Sequence, residues 1–320
     1  MITRSVIPEQ SNLFAPVVDA YGSRLVLVFG NESKNGECPF YRYQCHHCDI
    51  GAGEGMGFDG SSNQQRLEFF QDYYADLLVD ARHLLIYNSG STLNHAEMSR
   101  ETFAAILNLV SGLKNCKLVS LDSREMYITP DNLDRLSHHL GISQRASIIL
   151  GVESQNDEIR MGKLKKLMTK DAIENAFAIV GAYSEKIGID FNIVFQPPEV
   201  VGDAAIAEAV ETLEYGLHLS EKYRVSIDFN FHPYYPSRKS QGMFPKHPRA
   251  NLTDAFQALM LMKERVEIRQ SRAKLFIGWQ DEGHDREQNQ RAKELERYLE
   301  GFDRFNRTQE IIALQECSHF

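Results

Sequence analysis

Seven short apolar runs, separated by longer amphipathic stretches, set the strongest limit on how this chain can fold. RLVLVFG (Arg24–Gly30), HLLIYNSG (His83–Gly90), KLVSL (Lys117–Leu121) and SIILGVES (Ser147–Ser154) come first. IDFNIVFQPP (Ile189–Pro198), VSIDFNFHP (Val225–Pro233) and KLFIGWQ (Lys274–Gln280) continue the series. Runs of strand length that stay apolar belong to strands buried on both faces. The stretches between them carry readable helix starts: Thr129 before Pro130, Thr169 before Lys170, Asp203 before Ala204, and Thr253 with Asp254. A side-chain oxygen there accepts from first-turn amides, and proline suits the first helical position. Gln64–Val79 and Arg100–Leu113 are the remaining expected helices.

Strand–helix alternation of this kind means a parallel sheet with right-handed crossovers. No glycine fingerprint opens a helix after the first run, so a dinucleotide-binding sheet is disfavoured. The expected fold is α/β: a partial (β/α)6 TIM-like barrel with parallel strands plus a C-terminal extension. The core is expected over residues 1–240, with a cysteine-bearing loop at 31–57, and a strand–helix extension over 241–320 is expected to cover the barrel. In such folds chemistry gathers at the C-terminal ends of the strands.

Composition narrows the function. The chain has 320 residues, 42% hydrophobic and 25% charged, which is globular. A net charge of -9 points away from nucleic acid, whose tight binders carry a basic face. The first residues hold no secretory signal pattern, and no apolar run approaches membrane-spanning length, so a cytoplasmic protein is expected. Thiols stay reduced in that compartment, and five cysteines leave one over, so a disulfide framework is set aside.

Three of those cysteines, Cys38, Cys45 and Cys48, crowd the loop directly after the first long apolar run. Zinc in a structural site wants four ligands. His46 or His47 stands available, but each is pressed against a cysteine in sequence. A thioredoxin-like pair would use Cys45 and Cys48 and leave Cys38 idle. A third reading is a [4Fe–4S] cluster held by three thiolates, one short of the usual four, so that one iron takes an exchangeable ligand. Cys116 and Cys317 stand alone, too few for a second such cluster.

The segments around this loop resemble the radical S-adenosylmethionine superfamily, in particular the branch related to the Elongator catalytic subunit and archaeal tRNA-modifying proteins. C-x6-C-x2-C stands where the family has its cluster loop, with a wider first gap than the common C-x3-C-x2-C. YNSGST (Tyr87–Thr92) is similar to the family's small-residue turn. SLDSREMYITP (Ser120–Pro130) is similar to the branch's E-S-R-P-E-[FY]-I segment, GVESQNDEIR (Gly151–Arg160) to its G-[LV]-E-[ST] turn, and FNIVFQPP to its N-x-x-x-K-P-P strand end, with Gln196 in place of lysine.

The resemblance implies a [4Fe–4S] cluster on Cys38, Cys45 and Cys48. It implies S-adenosyl-L-methionine held by His47 near the adenine, by Ser89, Gly90 and Ser91 at the amino group, by Ser123 and Glu153 at the ribose or amino group, and by Arg160 at the carboxylate. Reductive cleavage would release a carbon radical, in most relatives 5′-deoxyadenosyl, fed by an external electron donor such as flavodoxin or ferredoxin. His232, Tyr234 and His284 are the candidates for substrate chemistry. The substrate class favoured by the acidic composition is a small metabolite or natural-product precursor. tRNA is the alternative that kinship alone supplies, and a non-catalytic zinc-binding interaction protein is the other.

Overall fold

The computed structural model of this chain describes residues 17–34, 36–43, 45, 48, 62–234, 238–278 and 292–318. His47 and His284 lie outside them. Eight strands form one sheet in unbroken chain order: β1 (Val17–Asp19), β2 (Gly22–Phe29), β3 (His83–Asn88), β4 (Leu118–Ser123), β5 (Arg145–Glu153), β6 (Ile187–Phe195), β7 (Ile227–Pro233) and β8 (Leu275–Ile277). All neighbours are parallel except β1 and β2, a hairpin in which Asp19 stands opposite Gly22. Parallel strands laid down in order, each after a right-handed crossover, put every helix on one side, and the twisting sheet curls away from them. The result is a TIM-like half-barrel. Each of the seven expected runs supplies one of its strands, and β1 is the addition. The segment after residue 240 contributes β8 to this same sheet.

Alternation along the strands separates two environments. Leu25, Leu27 and Phe29 of β2, Leu84 and Ile86 of β3 and Phe191 and Ile193 of β6 pack outward in the main core. They meet helix residues such as Phe103, Ile106, Leu133, Phe177 and Leu213. Val26, Val28 and Leu85, with Tyr87, form a separate cluster on the lumen side.

The lumen is sealed at its N-terminal end by a buried polar layer. Asp19 Oδ2 lies 2.8 Å from His83 Nδ1, and His83 Nε2 lies 3.0 Å from Ser120 Oγ. Ser120 donates in turn to Asp190 Oδ2 at 2.7 Å. The Tyr21 hydroxyl, in the β1–β2 turn, donates to Asp228 of β7. The Lys274 amide donates to the other oxygen of Asp228 at 2.8 Å. Lys274 Nζ sits 3.2 Å from the Tyr21 ring centroid, so the first and last strands meet across the floor.

At the open seam, β8 has no partner strand beyond β7 among the described residues. The helix Ala292–Thr308 and the residue after it take that place: Asn306 and Gln309 bond the backbone of Ile277 and Leu275 through their carboxamides.

Some local expectations needed correction. Asp203 does not cap its helix. Gly202 does, at φ 57°, a left-handed conformation open to glycine. The helix at Leu252–Ile268 is capped by Asn251, whose Oδ1 accepts from Thr253 and Asp254. Gln64–Val79 is not one helix but two, Asn63–Tyr73 and Ala75–Asp80. Tyr74 leaves the helical region between them, where it packs edge-on to Phe69 and Tyr73.

Candidate functional site

The C-terminal ends of β2 to β7 gather most of the residues that the sequence singled out. After β2 the chain is anchored before it reaches the cysteines. The Asn63 carboxamide brackets Gly30, accepting its N–H at 2.7 Å and donating to its carbonyl at 2.8 Å. Asn31 donates through its amide to Ser89 Oγ at 3.0 Å and through Nδ2 to the Ser89 carbonyl at 3.1 Å. A short helix, Pro39–Tyr43, then separates Cys38 from Cys45. Cys45 is buried, while Cys38 and Cys48 are partly exposed.

Arg124, at the end of β4, faces this loop. Its guanidinium lies 3.8 Å from the Phe40 ring centroid, and Nη1 is 3.9 Å from Cys45 Sγ. It is held by Glu125 at 3.2 Å and by the Lys166 carbonyl at 2.6 Å. Burial pushes the Cys38 thiol up, and the Glu97 carboxylate and Cys45 add to this against the amides of Tyr41 and Phe40. Among the described residues no three Cys, His, Asp or Glu side chains converge on a metal-holding point. What the three thiols share is one loop at one end of the barrel, with a cation beside the innermost. That donor set, soft sulfur with no carboxylate between the sulfurs, fits an iron–sulfur group in kind.

The Ser89–Gly90–Ser91 turn forms a cradle, and Glu97 fills it. A Cβ on Gly90 would lie 1.8 Å from Glu97 Oε2, which is why glycine is required. That oxygen accepts from the Ser91 amide at 3.1 Å and from Asn31 Nδ2 at 3.2 Å, and Asn94 donates to the other oxygen. Burial raises the Glu97 pKa against these bonds. No motif marks Glu97, which sits in NHAEMSR. Nor does a motif mark Asp122, whose carboxyl takes the Thr92 hydroxyl and is pushed up to about 8 by burial.

Glu153 closes β5 in a left-handed conformation, φ 71°, with Oε1 2.8 Å from Lys166 Nζ. Both side chains are buried. Lys166 is aimed inward by its neighbours: Lys165 and Leu167 flank it at φ 54° and 50°. Non-glycine residues held there store strain of roughly 1–3 kcal/mol each, which only an over-determined site retains. Gly151 leaves the room, since a Cβ there would meet Lys166 Nζ at 2.7 Å.

Arg160 is 0% exposed, and its guanidinium bonds within its own loop: Nε to the Met168 carbonyl at 2.6 Å, Nη1 to the Ser154 carbonyl at 2.7 Å, Nη2 to Asp157. These bonds hold together the wide turn Glu158–Lys163. Ser123 lies at the mouth, buried, donating to the Arg124 carbonyl at 3.1 Å. His232 lies on the lumen side of β7, against Gly278, where a Cβ would come within 2.5 Å of Nδ1. Tyr234, two residues on, packs with Ile159, Leu164 and Val194 and edge-on to His247.

The half-barrel is similar in fold to SuiB from Streptococcus suis, with a TM-score of 0.52 and 10% identity over 79% of this chain and 49% of that one. A radical SAM methyltransferase from Sphaerobacter thermophilus aligns with a TM-score of 0.48 and 12% identity over 80% of this chain and 67% of that one. In sequence, uncharacterized protein MJ0550 of Methanocaldococcus jannaschii is 29% identical over 127 residues, 40% of this chain. The match spans 34% of that relative's length. No family model matches the chain. The likeness to SuiB is one of fold: an α/β sheet of mostly parallel strands curled into a TIM-like half-barrel. Among the described residues no helix is long and apolar enough to cross a membrane.

Proposed function

We propose that this chain is a radical S-adenosylmethionine enzyme acting on a small molecule. The observation that carries the reading is placement: three cysteines follow the first parallel strand of a half-barrel, beside a glycine cradle and a cation, at the end where such folds do chemistry. Cys38, Cys45 and Cys48 would hold a [4Fe–4S] cluster. When bound, such a group with S-adenosylmethionine supplies one-electron cleavage of the sulfonium, giving methionine and a carbon radical that takes hydrogen from a substrate.

The chain's own residues bind, orient and exclude water. The Glu97 carboxylate, already seated against Gly90, is the acceptor for the cofactor's amino group. Lys166 is the group for its carboxylate in preference to Arg160, because Arg160 is fully buried and bonded on all three nitrogens within its own loop. Glu153, paired with Lys166, and Ser123 stand next to it for ribose hydroxyls. Arg124 offsets the negative charge that thiolates bring to a partly buried loop. His232 is the lumen group placed to hold or move a substrate proton.

The test is anaerobic reconstitution of the full chain. Iron and sulfide in cluster stoichiometry, broad visible absorbance and formation of 5′-deoxyadenosine on adding dithionite and S-adenosylmethionine are expected. Stoichiometric zinc without such absorbance would sink the reading.

A further inference from the structure

One layer above the sealed floor, the lumen has two unlike walls. Asn192 of β6 and Asn230 of β7 are register partners, two positions beyond Asp190 and Asp228 on the same strands. Side chains two apart share a face, so both carboxamides look into the lumen. Asn230 Nδ2 donates to Asn192 Oδ1 at 3.1 Å. Among the described residues this is the one hydrogen bond that either side chain makes, and both are partly exposed. Pairing two carboxamides by one bond leaves an NH2 on one and a carbonyl on the other. Exchanging the oxygen and nitrogen of both leaves the same complement.

The wall four strands away is apolar: Val26, Val28 and Leu85, with Tyr87. The contacts of Tyr21 with Asp228 and Lys274 tie the two arms of the sheet together below these residues. The carboxyl groups near this level already have partners: Asp19 is paired with His83, Asp228 takes Tyr21 and the Lys274 amide, and Asp122 takes Thr92. An ionic group brought against the two carboxamides would lose water and meet only neutral partners there.

We infer that the Asn192–Asn230 pair and the Val26–Val28–Leu85 wall select a substrate whose inserted part is neutral, flat and amide-like, a carboxamide, lactam or nucleobase edge. This substrate class rests on the proposed enzyme reading for its purpose but not for its test. Ligand-observed NMR on the full chain before iron loading reads binding without the cluster, and the asparagine variants assign it to this pair. Benzamide, benzoate and benzamidine share one shape and differ in charge. The expected result is saturation transfer to benzamide and less to either ion, with Asn192→Leu or Asn230→Leu weakening benzamide about tenfold, the usual loss for one hydrogen bond. Asn192→Asp should instead gain benzamidine, a change misfolding does not produce. Benzoate or benzamidine binding the unaltered chain as well as benzamide, or benzamide indifferent to both leucine variants, would overturn it. Failure of the enzyme reading shows separately, as absence of iron after reconstitution.

Discussion

The carboxamide of Gln309 pairs with the backbone of Leu275 as a neighbouring strand would: Oε1 accepts the Leu275 amide at 2.8 Å and Nε2 donates to the Leu275 carbonyl at 2.8 Å. Asn306, one helical turn earlier, repeats this on Ile277 at 2.8 and 3.0 Å. An open β8 edge offers unpaired donors and acceptors to any passing strand. Two side chains three residues apart, one in the last helical turn and one just past it, match two strand residues two apart, so among the described residues the edge is covered by side chains.

Gln309→Ala should therefore cost about 1–3 kcal/mol, because Leu275 keeps its polar groups and loses both partners. The denaturation midpoint in urea reads this. The Asn306→Ala/Gln309→Ala double variant should also self-associate by size-exclusion chromatography, since it exposes the edge. A double variant that stays monomeric with an unchanged midpoint would show that the helix, not its carboxamides, shields β8.

The floor makes stability depend on pH in an unusual direction. Burial raises the pKa of Asp228 and of Asp190 beside it, and the Tyr21 hydroxyl and Lys274 amide oppose the rise only in part. A carboxyl that holds its proton more tightly folded than unfolded stabilises the fold at low pH and loses that contribution as pH rises. The loss begins near the unfolded value of about 4 and runs to the raised folded value. Thermal midpoints should fall between pH 5 and pH 8 by this contribution, and Asp228→Asn should flatten the fall. A wild-type midpoint that climbs over the same range, with no change in the variant, would contradict it.

Arg160 and Lys166 should separate when each is replaced by methionine. Arg160→Met leaves the carbonyls of Ser154 and Met168 without a donor, and a cost of about 1–3 kcal/mol for each is expected. Lys166→Met removes one partner of the buried Glu153. That variant should fold and bind S-adenosylmethionine at least tenfold more weakly by calorimetry. Equal losses of affinity in two equally stable variants would return the carboxylate role to Arg160.

Strands β2, β3, β5 and β6 were legible because both of their faces are buried along most of their length, which a continuous apolar run satisfies, whereas β7 alternates buried Phe229 and Phe231 with half-buried Asp228, Asn230 and His232. β1 was not legible, because Val17–Asp19 is three residues long and owes its pairing to β2. The site was legible as positions rather than contacts. Gly90 reads as a close approach from sequence, yet only the fold shows that Glu97 is what approaches. Arg160 fell on the right loop, but its role was decided by carbonyls at Ser154 and Met168, which no pattern records. Asn306 and Gln309 read as ordinary helix polar residues, since their function exists only against the β8 edge.

Thiol reactivity should divide the cysteines in the order of their surroundings. Cys116 is 0% exposed, its Sγ donates to the Leu118 carbonyl, and burial pushes its pKa up to about 11. At pH 8 its thiolate fraction is about one in a thousand, and only the thiolate attacks an alkylating agent. Cys48, partly exposed in the loop, meets reagent directly, whereas Cys45 is buried under Arg124 and Phe40. Iodoacetamide added to the native, metal-free chain should label Cys48 first, Cys38 next, Cys45 slowly and Cys116 only after unfolding, as read by peptide mass spectrometry. Reconstitution with iron and sulfide should then protect Cys38, Cys45 and Cys48 together while leaving Cys116 as it was. Protection of one or two of the three would mean that they do not act as a set, and labelling of Cys116 in the native chain would mean that the core around β4 opens far more readily than its packing allows.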